Sequence, residues 1–181
     1  MKVSTSVLEA PAFELAPDSD VHAGVRVLTA IAEHFDLEEA HAAARWARSV
    51  VRILDCPKDP RTIAGWGRWI AVSPGALRNW CRTAGIQARR SLLFGRLLRA
   101  VVLGENGRHR PENLLDVVDR RTLAALLRCA GFAGEHDFPK TPDEFLTRQR
   151  LVCDPDALAE TRRALRDRQQ RKGAPAPPAA C

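Results

Sequence analysis

Apolar residues recur three or four positions apart along the N-terminal third of the chain, which is the spacing of one face of an α-helix. One series consists of Val21, Val25, Leu28, Ile31 and Phe35. A second series consists of Leu37, Ala40, Ala44, Ala47, Val51 and Leu54. Asp18, Ser19 or Asp20 can cap the first helix. Asp36 and Glu39 form a capping-box-like start for the second helix, which ends before the prolines of DCPKDP.

Three helical segments follow the proline break at residues 55–60. They read RTIAGWGRWIAV, SPGALRNWCRTAG and IQARRSLLFGRLLRAVVL. Thr62 can cap the first segment. The third is a long amphipathic helix, and we expect its arginines on the solvent-facing side. Trp46, Trp66 and Trp69 are expected in the core, where large aromatic residues contribute most apolar area.

The C-terminal half continues with helical patterns. ENLLDVVDRRTLAALLRCAGF predicts one or two helices that end at Gly131, and TPDEFLTRQRLV restarts a helix with Thr141 as its cap. Residues 156–172 predict a charged helix, and the ending GAPAPPAAC is typical of a disordered tail. No segment alternates apolar and polar residues with the period of two that marks strands. The chain is therefore predicted to be an all-α, multi-helix bundle.

Composition excludes several classes of protein. Hydrophobic residues make up 45% and charged residues 28% of the chain, as in a globular domain with a real core. No apolar run approaches the ~20 residues that cross a bilayer, so we expect no contact with a membrane. The N-terminus has one lysine, several acidic residues and no long apolar core, so it resembles a signal peptide poorly and predicts a cytoplasmic protein.

Cysteine, histidine and catalytic motifs point away from an enzyme. The 5 cysteines are widely spaced without a CxxC pair, and the 5 histidines are scattered, so we expect neither a disulfide framework nor a metal site. The sequence has no GxSxG, HExxH or glycine-rich phosphate loop. The nearest candidates, Glu33-His34 and Glu135-His136-Asp137, are most simply loop or helix-end clusters. We expect no catalytic residues and no cofactor.

Charge is distributed unevenly along the chain, whose formal net charge is +6. Acidic residues outnumber basic ones before Pro60, whereas the stretch from Pro60 to Gly104 contains no Asp or Glu. Its basic residues are Arg61, Arg68, Arg78, Arg82, Arg89, Arg90, Arg96 and Arg99. Solvated surfaces usually intersperse the two signs, so an acid-free arginine block indicates contact with phosphates.

Part of this block has the pattern of a helix-turn-helix. Gly67 supplies the small residue that lets a second helix cross the first closely, and Ala71 and Val72 can form the turn. Ser73 can cap the second helix, and Pro74 suits its first position. The segment that follows then serves as a long linking helix.

The second helix of this motif has an apolar back and a polar front. Its back consists of Leu77, Cys81 and one face of Trp80. Its front, where we expect contacts to base edges, consists of Gly75, Ala76, Arg78, Asn79 and Arg82. Arginine suits guanine edges and asparagine suits adenine edges, and small residues at the helix start let the backbone approach DNA. For contacts to the DNA backbone we expect Arg61, Arg68, Ser73, Thr83, Arg89 and Arg90.

These features resemble the first helix-turn-helix of the AraC-type (arabinose-regulator) transcription factors. That family reads roughly as L-A-x-x-x-G-x-S-x-x-x-L-x-x-x-F-x-x-x-x-G, followed by a linking helix that ends R-L-x-x-A. The direct matches are Ser73, Leu77 and Gly85, and Arg96, Leu97 and Ala100 are similar to the end of the linking helix. The positions that differ from the family pattern are Trp66, Gly67, Ala71 and Cys81. The resemblance implies an all-α DNA-binding fold.

A shortened second motif follows, similar to the family's I-A-x-x-x-G-F and T-P-x-E-F/Y-R elements. Its matches are Leu123, Ala124, Gly131, Phe132, Phe138, Thr141, Pro142, Glu144 and Phe145. The interval from Phe138 to Thr141 is too short for a full recognition segment. The resemblance, which covers residues 62–150, therefore implies that DNA is contacted mainly by the first motif. The residues before it look helical, unlike the separate sensor domain that the family usually carries.

Residues and resemblance together predict a sequence-specific, DNA-binding transcription regulator of bacterial type that uses a helix-turn-helix in the major groove. Its partner is double-stranded DNA, with a homodimer or another regulatory protein as further options. The alternative is a helical protein-interaction adaptor with a basic face and no DNA binding. The predicted organisation comprises a flexible arm (1–18), a helical DNA-binding domain (19–152, its support at 19–55), a charged helix (153–172) and a disordered tail (173–181).

Overall fold

The computed structural model describes Glu38 and residues 40–105, 111–117 and 119–173. Every regular element within these residues is helical, which confirms the all-α prediction. The predicted arm, the predicted first helix and nearly all of the predicted tail lie outside the described residues. None of the described helices is long and apolar enough to span a bilayer.

Eight helices and two short 3-10 turns make up the described part of the chain. Helix α1 covers residues 40–51, and its predicted continuation to Leu54 is instead the 3-10 turn Arg52–Asp55. The other helices are α2 (Ile63–Trp69), α3 (Pro74–Thr83), α4 (Ala88–Gly104), α5 (Pro111–Leu114), α6 (Arg120–Cys129), α7 (Pro142–Arg148) and α8 (Pro155–Gly173). The second 3-10 turn, Glu135–Asp137, lies between α6 and α7.

Capping residues determine where four of these helices begin. A side-chain oxygen accepts a hydrogen bond from a backbone N–H of the first turn in α2, α3, α6 and α7. The four capping residues are Thr62, Ser73, Asp119 and Thr141. Each side chain satisfies an otherwise unpaired N–H. The caps at Thr62, Ser73 and Thr141 confirm the sequence prediction, whereas the cap at Asp119 was not predicted.

Glycine and glutamine determine where α6 and α7 end. Gly131 adopts φ +94 after α6, and the N–H of Phe132 donates to the carbonyl of Leu127, as in a glycine-terminated helix. Helix α7 ends at Arg148, so the predicted helix over TPDEFLTRQRLV is shorter than expected. The side chain of Gln149 is buried, and its Oε1 accepts hydrogen bonds from the N–H groups of Leu151 and Val152. These bonds stabilise a turn in place of another helical turn.

Helix α4 lies at the centre of the fold and contacts the 3-10 turn after α1 as well as α2, α3, α5 and α7. Its Phe94 ring lies 5.5 Å from that of Trp46 in α1 and 5.3 Å from that of Phe145 in α7, between centroids. Phe145 in turn lies 6.1 Å from Phe132. This row of buried rings joins three helices and the segment after α6 into one core.

Two of the three tryptophans expected in the core are there. Trp46 and Trp66 are fully buried, and their indole N–H groups donate to the hydroxyl of Ser91 and the carbonyl of Ser49. The expectation for Trp69 is wrong, since it is 43% exposed. Trp66, Gly67 and Ile70 form the buried face of α2, and helical geometry places residue 69 about 100° from the centre of that face.

Candidate nucleic-acid interface

Helices α2 and α3 are joined by a tight connection of four residues, 70–73. The carbonyl of Gly67 accepts a hydrogen bond from the N–H of Val72 at 2.8 Å, and Ala71 adopts φ 57 in the left-handed region. A Cβ at position 67 would lie 2.5 Å from the carbonyl oxygen of Val72. Only glycine therefore fits where the turn folds back onto α2.

The start of α3 is held by its cap. The hydroxyl of Ser73 accepts a hydrogen bond from the N–H of Ala76 at 3.1 Å, and Pro74 occupies the first helical position. The predicted role of Ser73 as the cap is therefore confirmed. With this hydroxyl engaged as an acceptor, its hydrogen is still free to bond a ligand oxygen.

The back of α3 is buried as the sequence predicts. Leu77 and Cys81 are fully buried, and Trp80 is half-buried and packs against the same core. Burial raises the pKa of the Cys81 thiol above its ordinary value. The helix ends at Thr83, Gly85 adopts φ +66 two residues later, and the N–H of Ile86 donates back to the carbonyl of Cys81. This packing holds α3 in one orientation and leaves its other side to solvent.

The front of α3 is a row of exposed polar side chains. Arg78, Asn79, Arg82 and Thr83 are exposed, as is Gly75 near the helix start, whereas Ala76 is half-buried. The guanidinium Nη2 of Arg82 donates to Oδ1 of Asn79 at 2.6 Å. The hydroxyl of Thr83 donates to the backbone carbonyl of Asn79 at 2.9 Å. The four predicted polar residues thus share one surface.

A shallow groove of about 510 Å³ lies between the end of α3 and the start of α4. It is lined by Arg78, Arg82, Gly85, Ile86, Gln87, Ala88 and Arg89. Arg89 and Arg90 are exposed in the first turn of α4, which begins after Gln87 without a side-chain cap. The groove therefore brings arginine side chains from two helices to one edge, and the N–H groups of the first turn of α4 add to its positive potential.

The arginine block divides into surface and interior groups. Arg68, Arg78, Arg82, Arg89 and Arg90 are exposed. Arg61 is also exposed, but it pairs with the carboxylate of Asp116 and donates to its carbonyl oxygen at 2.6 Å. Only Arg96 and Arg99 are withdrawn from the surface. The expectation that the arginines of α4 all face solvent is therefore right for its first turn and wrong for its middle.

Arg96 and Arg99 are structural. The Nε of Arg96 donates to Oδ2 of Asp59 at 2.7 Å, and this carboxylate side chain is 1% exposed. Arg99 is buried and donates to the carbonyls of Leu114 and Cys56 at 2.9 and 3.1 Å. Burial raises the pKa of Asp59, and the hydrogen bond and charge of Arg96 only partly oppose it. The sequence signal for these roles is that both arginines fall within the apolar register of α4 and that Asp59 directly precedes the acid-free block.

The shortened second motif contains no long helix between α6 and α7. In its place lies the single 3-10 turn Glu135–Asp137. Asp137 accepts a hydrogen bond from the N–H of Ala133 and pairs with Arg148, which also pairs with Glu144. Within the Glu135-His136-Asp137 cluster, the Asp137 carboxylate is therefore engaged in local structure. Across the described residues, no group of three or more His, Cys, Asp and Glu side chains is placed to hold a metal ion.

Comparisons with family models, with curated proteins and with solved structures find no match for this chain.

Proposed function

We propose that the chain is a sequence-specific DNA-binding transcription regulator that uses α2 and α3 as a helix-turn-helix and inserts α3 into the major groove. The observation that carries this proposal is the front of α3. Arg78, Asn79 and Arg82 are exposed on one side of a helix whose opposite side packs into the core through the fully buried Leu77 and Cys81. An α-helix fits the width of the major groove, and these side chains hydrogen-bond base edges there.

The surroundings of α3 supply contacts for the DNA backbone. Arg68, Arg89 and Arg90 are exposed, and no carboxylate in the described part of the chain forms an ion pair with them. The hydroxyls of Ser73 and Thr83 lie at the two ends of α3. Contacts to phosphates from such residues fix the position of a recognition helix without reading sequence.

Arg61 differs from the other arginines proposed to contact the DNA backbone, because it forms an ion pair within the protein. It already pairs with Asp116, so a phosphate contact from Arg61 requires that exposed ion pair to open. Exposed ion pairs contribute only about 0–1 kcal/mol, and a phosphate can therefore replace the carboxylate at small cost.

The proposal extends to partners and setting. With α3 as its one recognition helix, the regulator gains selectivity from a second copy of the chain or from another regulatory protein, and it acts in the cytoplasm. Two half-sites one helical turn apart would then double the number of base pairs contacted.

Selection from a random duplex pool tests this function. The full chain is mixed with the pool over a series of salt concentrations, and retained duplexes are sequenced. We expect enrichment of a short common sequence, with affinity falling as salt rises. Absence of binding even at low salt would overturn the proposal and favour a protein-interaction adaptor.

A further inference from the structure

Asn79 and Arg82 form one hydrogen-bonded unit on the front of α3. Residues three apart lie on the same side of a helix, and here Nη2 of Arg82 donates to Oδ1 of Asn79 at 2.6 Å. The amide oxygen of Asn79 therefore faces the guanidinium, and its amino group faces away. Both residues are exposed, so the unit is available to a ligand.

This hydrogen bond changes what the two side chains offer to a base. A free asparagine presents one acceptor and one donor, which complement N6 and N7 of adenine. One lone pair of Oδ1 accepts from Arg82, and the other lies beside the positively charged guanidinium. The outward groups of the pair are therefore mainly donors: the Asn79 amino group and the remaining N–H groups of Arg82. The guanidinium also repels the N6 amino group that adenine would bring to Oδ1. Guanine, by contrast, presents two acceptors, O6 and N7, in the major groove.

We propose that Asn79 and Arg82 recognise one guanine as a single donor unit, while Arg78 recognises a second guanine. This inference rests on the proposed function and departs from the adenine contact expected of Asn79 by residue type. Arg78 and Arg82 are four residues apart, or about 6 Å along the helix axis. Base pairs follow one another at about 3.4 Å, so the two guanines lie within about two steps of each other.

Sequencing of duplexes selected at low salt by single variants tests this assignment. The wild-type chain is expected to enrich two guanines at a fixed short spacing, and Arg78→Ala is expected to lose the preference at one of them. Arg82→Ala frees Oδ1 of Asn79 for a bidentate contact. The base enriched at the other position then changes from guanine to adenine, with a preference of about tenfold.

Two further variants serve as controls. Asn79→Ala keeps Arg82 and is expected to retain guanine at the second position with a weaker preference. Arg120→Ala removes an exposed charge from the start of α6 and should leave both preferences unchanged. Thermal melting followed by circular dichroism establishes that each variant is folded.

The inference is overturned if the wild-type chain enriches adenine at the second position. It is also overturned if Arg82→Ala retains guanine there or loses all preference there. These outcomes differ from failure of the proposed function, in which the wild-type chain enriches no sequence at all.

Discussion

Gly67 shows how one missing side chain permits the geometry of the α2–α3 unit. The backbone carbonyl of Val72 occupies the space that any Cβ at position 67 would need. Relief of that contact requires movement of backbone, because no flexible side chain is involved. The position is thus a sensitive test of whether α3 is held as described.

Gly67→Ala is expected to lower the free energy of unfolding by about 1–3 kcal/mol, as overpacked sites do. The matched control is Gly75→Ala, where the nearest atom to the added Cβ is the Ser73 hydroxyl oxygen at 3.9 Å and φ is ordinary. Alanine is the better helix former, so Gly75→Ala should be neutral or stabilising by up to about 1 kcal/mol. Urea denaturation measures both, and equal stability of the two variants would contradict the close approach at Gly67.

Asp59 and Asp119 are expected to respond to pH in opposite ways. Burial raises the pKa of Asp59 above 3.8, so its contribution to stability is present below 3.8 and is lost as pH rises through the folded-state pKa. Backbone N–H groups of Arg121 and Thr122 lower the pKa of Asp119, whose contribution is present above 3.8 and is lost as pH falls through its folded-state pKa.

The measurement is the pH dependence of unfolding free energy in Asp59→Asn and Asp119→Asn. As pH falls toward 3.8, the wild-type protein should gain stability from protonation of Asp59, and Asp59→Asn should lack this gain. Below pH 3.8, the wild-type protein should lose stability as Asp119 becomes protonated, and Asp119→Asn should lack this loss. A slope of the same sign in both differences would contradict the described environments of the two carboxylates.

At the scale of single residues, the sequence predicted what depends on neighbours along the chain. Ser73, Thr62 and Gly67 act through atoms within six residues of themselves, and local rules identified all three. The burial of Arg96 and Arg99 depends on Asp59 and on carbonyls far away in sequence. Charge patterning alone treats every arginine as solvated, and it therefore predicts these two on the wrong side of α4.

Among the helices, α4 has the most demanding environment because it packs on several neighbours at once. Its Gly95 allows close contact with the end of α1. A Cβ there would lie 2.5 Å from Cδ1 of Ile53 and 3.3 Å from Cγ1 of Val50. The nearest atom is the end of a flexible side chain, so this contact can be relieved by a second substitution.

Gly95→Ala alone is expected to destabilise the protein by about 1–3 kcal/mol. Ile53→Val removes the interfering Cδ1 and by itself costs about 0.5–1.5 kcal/mol. The double variant should lose less unfolding free energy than the sum of the losses in the two single variants. The expected difference, which is the coupling energy, is at least about 0.5 kcal/mol. A double-mutant cycle by chemical denaturation measures this coupling, and strict additivity would show that α4 and Ile53 do not meet as described.

Helix existence was predictable from periodicity, whereas helix ends needed caps that the sequence reveals only in part. The cap Thr141 and the helix-ending Gly131 can be recognised from residue type alone. The end of α7 depends on the side chain of Gln149, which is buried and bonded to the backbone that follows. Glutamine is usually exposed, so no local rule predicts that it ends a helix in this way. The exposure of Trp69 follows from which face of α2 meets the core, which is a tertiary property.

On the scale of the whole molecule, fewer arginines of the acid-free block lie free on the surface than the sequence charge suggests. Interior partners hold two of the eight arginines between Pro60 and Gly104, and an ion pair holds a third, Arg61. The remaining five lie on α2, α3 and the first turn of α4. The net charge of +6 was therefore a weaker guide to the candidate site than the position of each arginine in its helix.

Arg89→Ala and Arg90→Ala are each expected to weaken DNA binding equally for all sequences. Each should also reduce the slope of log affinity against log salt by about 1, as loss of one phosphate contact does. Arg163→Ala in α8, whose side chain already pairs with Glu160, is the control for a lost positive charge. Fluorescence anisotropy of a labelled duplex over a salt series measures the slopes. Unchanged slopes in both α4 variants would remove these arginines from the interface.

The placement of tryptophan has a spectroscopic consequence. The chain has 4 tryptophans and no tyrosine, so its near-ultraviolet emission arises almost entirely from indole. Trp66, Trp69 and Trp80 all lie in α2 and α3, and they range from fully buried through half-buried to 43% exposed. A water-soluble quencher would reach Trp69 first and Trp66 last. The native protein thus carries its own optical reporter in the two helices proposed to meet DNA, and occupancy of that surface can be followed without an attached dye.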